Sequence, residues 1–330
     1  MKKLSAGSGE PRYTLYVPLV MHRLSRPIDL SLLASELGNK LTLDVTASSG
    51  SGWEQLRIGP FETEKLAHDG FNRVIRYLIT LCIECRYPIF FDFEVTKPNP
   101  PIQPLFIFPD DPIDAFVNLA SAVIIPEHLQ IYDHGVMLGH ADPQMTSSQL
   151  IAALSRTSDS PTPLNPKLRL AVQAYISACA TTSPMMKLVG FVICLEALCE
   201  QESRPADEIS SLDKICADIE KNKPAHADET YEKMLLIAKN SIGYNHKISI
   251  NTQFQNLILK HRNSIEASLD HKPTNLAKEA KLIYSMRSSI VHDGDLGKNG
   301  EHFYSALHFA NISAKAILLD KLNEQFKIEK

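Results

Sequence analysis

Near residue 145 the apolar residues of this chain change their period, and that change limits the folds open to it. Before it, residues 12–21, 41–46 and 88–95 are short runs rich in β-branched and aromatic residues, the make-up of strands in a half-buried sheet. After it, strand signals fade. Long stretches of helical period follow at roughly 165–182, 184–201, 208–222, 228–243, 251–269, 274–292 and 302–326. At 330 residues the chain exceeds the size at which a single core keeps growing. Two domains are therefore expected: an α+β domain over residues 1–145 and an all-α bundle over 146–330.

Within the first part, the Ser-Gly-rich residues 47–52 suit a turn, 53–58 a short strand and 62–86 a helix. Each proline in residues 97–104 fixes φ and removes a donor, so that stretch is a surface connection. A last strand is expected at 106–108. A helix over 111–125 is expected next, with Pro112 just inside its start. Residues 158–163, rich in Ser, Pro and Thr, form a second loop.

The net charge of −4 means that any contact with nucleic acid must come from a local patch. Met1-Lys2-Lys3 is followed by no apolar core of a signal peptide, and the longest apolar run, Leu188 to Leu195, is far too short to span a bilayer. A cytoplasmic protein without membrane contact is expected. The six cysteines lie in apolar stretches, as reduced buried thiols do. The Cys82-x-x-Cys85 pair has no second pair of ligands near it, so core packing is expected there and no metal.

Several kinds of chemistry lack their sequence marks. The chain has no phosphate-cradling P-loop, no G-x-G-x-x-G after a strand, no H-E-x-x-H and no G-x-S-x-G. No cofactor is expected.

One helical segment stands out. At about 100° per residue, Leu276, Ala280, Ile283, Ile290 and Val291 fall on one stripe, with Arg287 in its middle. A guanidinium in an apolar stripe needs a carboxylate partner or an anionic ligand, because an unpaired buried charge costs several kcal/mol. Glu196 is the partner candidate, the one carboxylate inside the helix Met186 to Cys199, which is apolar nearly all round. His292 follows five residues after Arg287, where Asp293-Gly294 ends the helix. Five residues of helix separate two side chains by about 140°, so helix fraying or a second subunit must bring this pair together. Alone, His292 reads as a cation at a helix C-terminus.

The run Ile283-Tyr284-Ser285-Met286-Arg287-Ser288-Ser289-Ile290-Val291-His292-Asp293-Gly294 resembles the signature helix of the HEPN superfamily, in particular its Apea-like branch. The upstream Lys187-Leu188-Val189-Gly190-Phe191-Val192-Ile193-Cys194-Leu195-Glu196-Ala197-Leu198-Cys199 is similar to the preceding helix of that branch. The resemblance covers about residues 165–325. It implies a helical bundle whose homodimer turns two Arg-x4-His pairs toward one cleft, giving a metal-independent endoribonuclease of a microbial defence or toxin type. Arg287 would then stabilise charge on the scissile phosphate, and His292 would move protons at the ribose 2′-hydroxyl or the leaving oxygen. RNA carries its own nucleophile, so a cation and an imidazole suffice. Tyr284, Ser288, Glu196 and Asp293 would support the pair, Ser288 standing where many active members carry Asn, Asp or His.

Two other readings stay open. The same fold serves as a noncatalytic binding or scaffold module, with Arg287 a structural cation, or as a nucleotide-binding regulatory module. A weaker RNA contact is the basic run Lys260-His261-Arg262, with Lys239, His246 and Lys247 upstream, which more often marks a solvated helix face. The first domain would sense a trigger ligand or partner. Trp53 could serve recognition there, although a lone tryptophan in a strand is more often core.

Overall fold

The computed structural model describes residues 12–21, 29–50, 53–86, 88–96, 115–116, 122–126, 131–132, 146–157, 159–222, 229–269, 273 and 275–327. The chain divides into two compact units, one formed by residues up to Gly190 together with Leu318 onward, the other by Phe191–Ile317.

The first unit is α+β. Its strands are β1 (Tyr13–Met21), β2 (Asp44–Gly50), β3 (Trp53–Phe61), β4 (Ile89–Phe90), β5 (Val95–Thr96) and β7 (Ala122–Pro126), in the order β2-β3-β1-β7-β5 with β4 also on β1. All these pairings are antiparallel except β5 with β7. Two further short strands, β6 (Ala115–Phe116) and β8 (Ile131–Tyr132), pair parallel with each other. The β1/β3 register sets Leu15 opposite Ile58 and Val17 opposite Leu56, and all four side chains are fully buried. Such cross-strand apolar pairs are what specify a register, since a slip of one residue would turn them all outward.

The helices here are α1 (Leu30–Leu41), α2 (Glu64–Cys85), α3 (Ser147–Ser155), α4 (Pro166–Ala180), the first part of α5 (Pro184–Leu198) and the end of α11 (Phe303–Lys327). Helix α2 begins at Thr63, whose Oγ1 accepts from the Leu66 N–H at 3.1 Å, and it packs against β1, β3, α3 and α4. Phe71, Val74, Leu78 and Leu81 are buried along it, each worth about 1.5–3 kcal/mol relative to exposure. A Cβ on Gly70 would lie 2.6 Å from the Phe61 ring, so only glycine lets helix and strand approach this closely.

The second unit is helical: the rest of α5, then α6 (Ala206–Lys221), α7 (Glu229–Tyr244), α8 (Ile250–Lys260), α9 (Arg262–Ala267), α10 (Leu276–Asp293), a 3-10 turn (Gly297–His302) and the first part of α11 (Phe303–Lys327). Phe254, Leu257, Ile258, Ile265, Leu276, Ala280, Ile283, Met286, Phe303, Ala306, Ala310 and Ile317 are among its buried apolar residues along α8 to α11. No helix among the described residues is long and apolar enough to cross a membrane. All six cysteines are free thiols, with Cys82, Cys194 and Cys199 buried.

Four local expectations are overturned. The helix expected over 111–125 is strand where it is described: Ala115–Phe116 is β6, and the β-branched Ala122-Val123-Ile124-Ile125-Pro126 is β7, antiparallel along β1. Residues 47–50 continue β2 rather than turning. Leu41 closes α1 instead of opening a strand: Asp29 caps the start of that helix through the N–H groups of Ser31 and Leu32, and Thr42, left-handed with its N–H donating to the Gly38 carbonyl, ends it. The helix expected over 251–269 is broken at His261, which turns inward at 6% exposure between α8 and α9. The connection at 97–104 and the strand expected at 106–108 lie outside the described residues.

Candidate functional site

Helix α10 is set by its ends. Asn275 caps it, its side chain accepting from the Lys278 N–H at 3.0 Å, and Gly294 stops it in the left-handed region at φ 76°. Between them Leu276, Ala280, Ile283 and Met286 are buried against neighbours that include α8. The stripe expected from the sequence holds for its first three members and then thins. Ile290 is half-buried, and Val291 is 50% exposed, because the packed face ends with Met286.

Arg287 lies where the packing thins, and its side chain keeps 24% of its surface open. Its Nη2 donates to Glu196 Oε2 at 3.2 Å, so the carboxylate expected from the sequence is the one that meets it. The Arg287 Nε is buried with no hydrogen-bond partner among the described residues. Burial pushes the Glu196 carboxyl above its ordinary 4.5, and Arg287 offsets this only in part, by its charge and its hydrogen bond. Tyr284, one turn before Arg287, stacks at a tilt on Phe254 with ring centroids 5.5 Å apart. Burial first, then the Glu196 charge, raises its hydroxyl above 10, against the pull of Arg287.

The other expected residues separate into two groups. Ser288 is half-buried beside Arg287. His292 and Asp293 are exposed on the last turn, and His292 forms no hydrogen bond or ion pair with the described residues. One chain thus joins Arg287, Glu196 and Tyr284 and leaves His292 outside that group, as the 140° rotation requires.

In the basic run, Lys260 and Arg262 face solvent while His261 is buried, so two of the three can reach an external phosphate. Arg262 lies 3.8 Å from Glu266, a loose surface pair. Upstream, Lys239 is bonded to Glu220 and His246 Nε2 lies 2.9 Å from Asp213 Oδ1. The backbone of Trp53 opens β3. Among the described residues no group of three His, Cys, Asp or Glu side chains is placed to hold a metal ion.

What the site offers chemically is a fixed cation with an unpartnered Nε and an internal carboxylate that engages its Nη2. No family model, curated protein or solved structure matches this chain.

Proposed function

We propose that the helical part of the chain is a HEPN-type, metal-independent endoribonuclease that works as a homodimer. The observation that supports it most is Arg287 itself: a permanent cation on the packed face of α10, engaged with Glu196 through one nitrogen and keeping donors to spare. In the reaction the ribose 2′-oxygen attacks the neighbouring phosphorus and the P–O5′ bond breaks, leaving a 2′,3′-cyclic phosphate and a 5′-hydroxyl. Arg287 takes the growing negative charge on the non-bridging oxygens. His292 accepts the 2′ proton or donates one to the leaving oxygen. The exposed position of His292 lets a second copy supply it across a two-fold cleft. A microbial defence or toxin role, with the α+β unit sensing a trigger, belongs to the same proposal.

A second reading has its own support. The Arg287–Glu196 pair is what a noncatalytic scaffold of this type would use to hold α5 to α10, and His292 lies outside it.

Expression of wild type, Arg287→Ala and His292→Ala in bacteria, with and without phage challenge, separates the two. The nuclease reading expects growth arrest and fragmented RNA with the wild type and neither with the variants, both variants retaining native circular dichroism. Intact RNA under every condition, with three proteins behaving alike, overturns it in favour of the scaffold.

A further inference from the structure

The first unit contains a cavity of about 240 Å³ that the ribonuclease reading does not use. Helix α2 gives it Asn72, Ile75 and Arg76, the segment between β4 and β5 gives Phe93 and Glu94, residues 162–164 form one wall, and α4 gives Arg169. The lining carries two guanidinium groups and one carboxylate, the Glu94 carboxylate lying on Arg169.

Its parts are held before any ligand arrives. Arg76 is 2% exposed, donates from Nη2 to the Thr162 carbonyl at 2.6 Å and lies 3.3 Å over the Phe326 ring. The 162–164 wall is pinned by Gln325, whose Nε2 donates to the Pro163 carbonyl at 2.8 Å while its Oε1 accepts from Asn165 Nδ2 at 3.2 Å. Groups already fixed lose little freedom on binding, which favours affinity. Arg169 differs. Its partner is Glu94, a side chain 67% exposed, and an ion pair of that kind exchanges readily.

We propose that this cavity binds a small organic anion, a phosphate or carboxylate carried on an apolar body, whose charged group replaces Glu94 on Arg169. A guanidinium accepts either anion through parallel N–H donors. Arg76 supplies a second, buried positive charge behind it, Asn72 a neutral amide, and Phe93 with Ile75 and Leu164 an apolar wall for the body of the ligand. A cavity of this size is smaller than most drug-sized sites, which begin at roughly 300 Å³, so the ligand is compact.

Isothermal titration of the full chain with phenyl phosphate, benzoate and inorganic phosphate, at ionic strength fixed with chloride, tests this. Saturable binding of phenyl phosphate or benzoate is expected, tighter than that of inorganic phosphate, and the better of the two identifies the anion. Glu94→Gln, which removes the competing carboxylate, tightens it by about threefold. Arg169→Gln weakens it by about tenfold or more. Heats no larger than those of chloride, or affinities equal in wild type and both variants, overturn the proposal. Neither outcome bears on RNA cleavage, so this site and the nuclease stand or fall separately.

Discussion

Each unit places one arginine inside an otherwise apolar helix surface, and the two are held differently. Arg76 in α2 is almost wholly enclosed, with a backbone carbonyl and a phenyl ring as neighbours. Arg287 in α10 is shallower and faces a carboxylate. Enclosure by a carbonyl and a ring fixes the Arg76 side chain in place, which suits a wall of a cavity. A carboxylate offsets the charge of Arg287, and the proposed ribonuclease requires a phosphate to take the place of Glu196.

The largest expected effect separates these two modes. Arg76→Met strips the Thr162 carbonyl of a charged donor and the Phe326 ring of its cation, and should lower unfolding free energy by about 2–4 kcal/mol in urea titrations. Arg287→Met should cost less, about 1–2 kcal/mol, by leaving Glu196 partly buried without its counter-charge. Adding Glu196→Gln to it should recover stability to within about 1 kcal/mol of wild type, since removal of both partners leaves no orphaned charge. If the double variant is no more stable than Arg287→Met, the pair is not the unit that holds the charge, and the comparison fails.

The helix ends give a smaller contrast. Helix α2 stops at Arg86 with φ 58°, and α10 at Gly294 with φ 76°. Left-handed backbone suits glycine, and a Cβ on Gly294 would meet nothing within 4 Å, so Gly294→Ala tests backbone strain alone. It should cost about 1 kcal/mol, while Arg86→Gly should gain up to about 1 kcal/mol. Equal and opposite shifts in thermal midpoint would check both.

How much of this was legible in the sequence depends on whether the signal was local. The period of α4, α5, α6, α7, α10 and α11 placed them to within a few residues, and the pairing of Arg287 with Glu196 followed from two charges in apolar helices. Helix α1 was not among the expected elements, although Asp29 caps it and Leu30, Leu33, Ala34, Leu37 and Leu41 form its buried face. Strand β7 was misassigned because Asp111-Pro112 looks like a helix start, and only its pairing with β1 shows otherwise. The cavity was not legible as a site. Arg76 sits in Val74-Ile75-Arg76-Tyr77-Leu78-Ile79, a lone charge open to the argument applied to Arg287, but Arg169, Glu94 and residues 162–164 join it only through the fold.

The smallest effect concerns pH, and it tests whether burial or Arg287 dominates at Glu196. Burial raises the carboxyl above its ordinary 4.5 in the folded chain. Between the unfolded value and the raised folded one, the folded protein holds more proton than the unfolded, so this group adds stability as pH falls through that window and withdraws it as pH rises. Above that window the folded carboxylate is charged and bears its desolvation in full. Glu196→Gln lacks this dependence. In urea titrations at pH 7, 6 and 5, the stability of wild type relative to Glu196→Gln should therefore improve toward pH 5, by a few tenths of a kcal/mol. A difference that instead declines toward pH 5 would mean that Arg287 outweighs burial and holds the carboxyl low. Glu196 would then grip the arginine tightly at neutral pH, a phosphate would displace it only with difficulty, and the scaffold reading of α5 and α10 would gain over the nuclease.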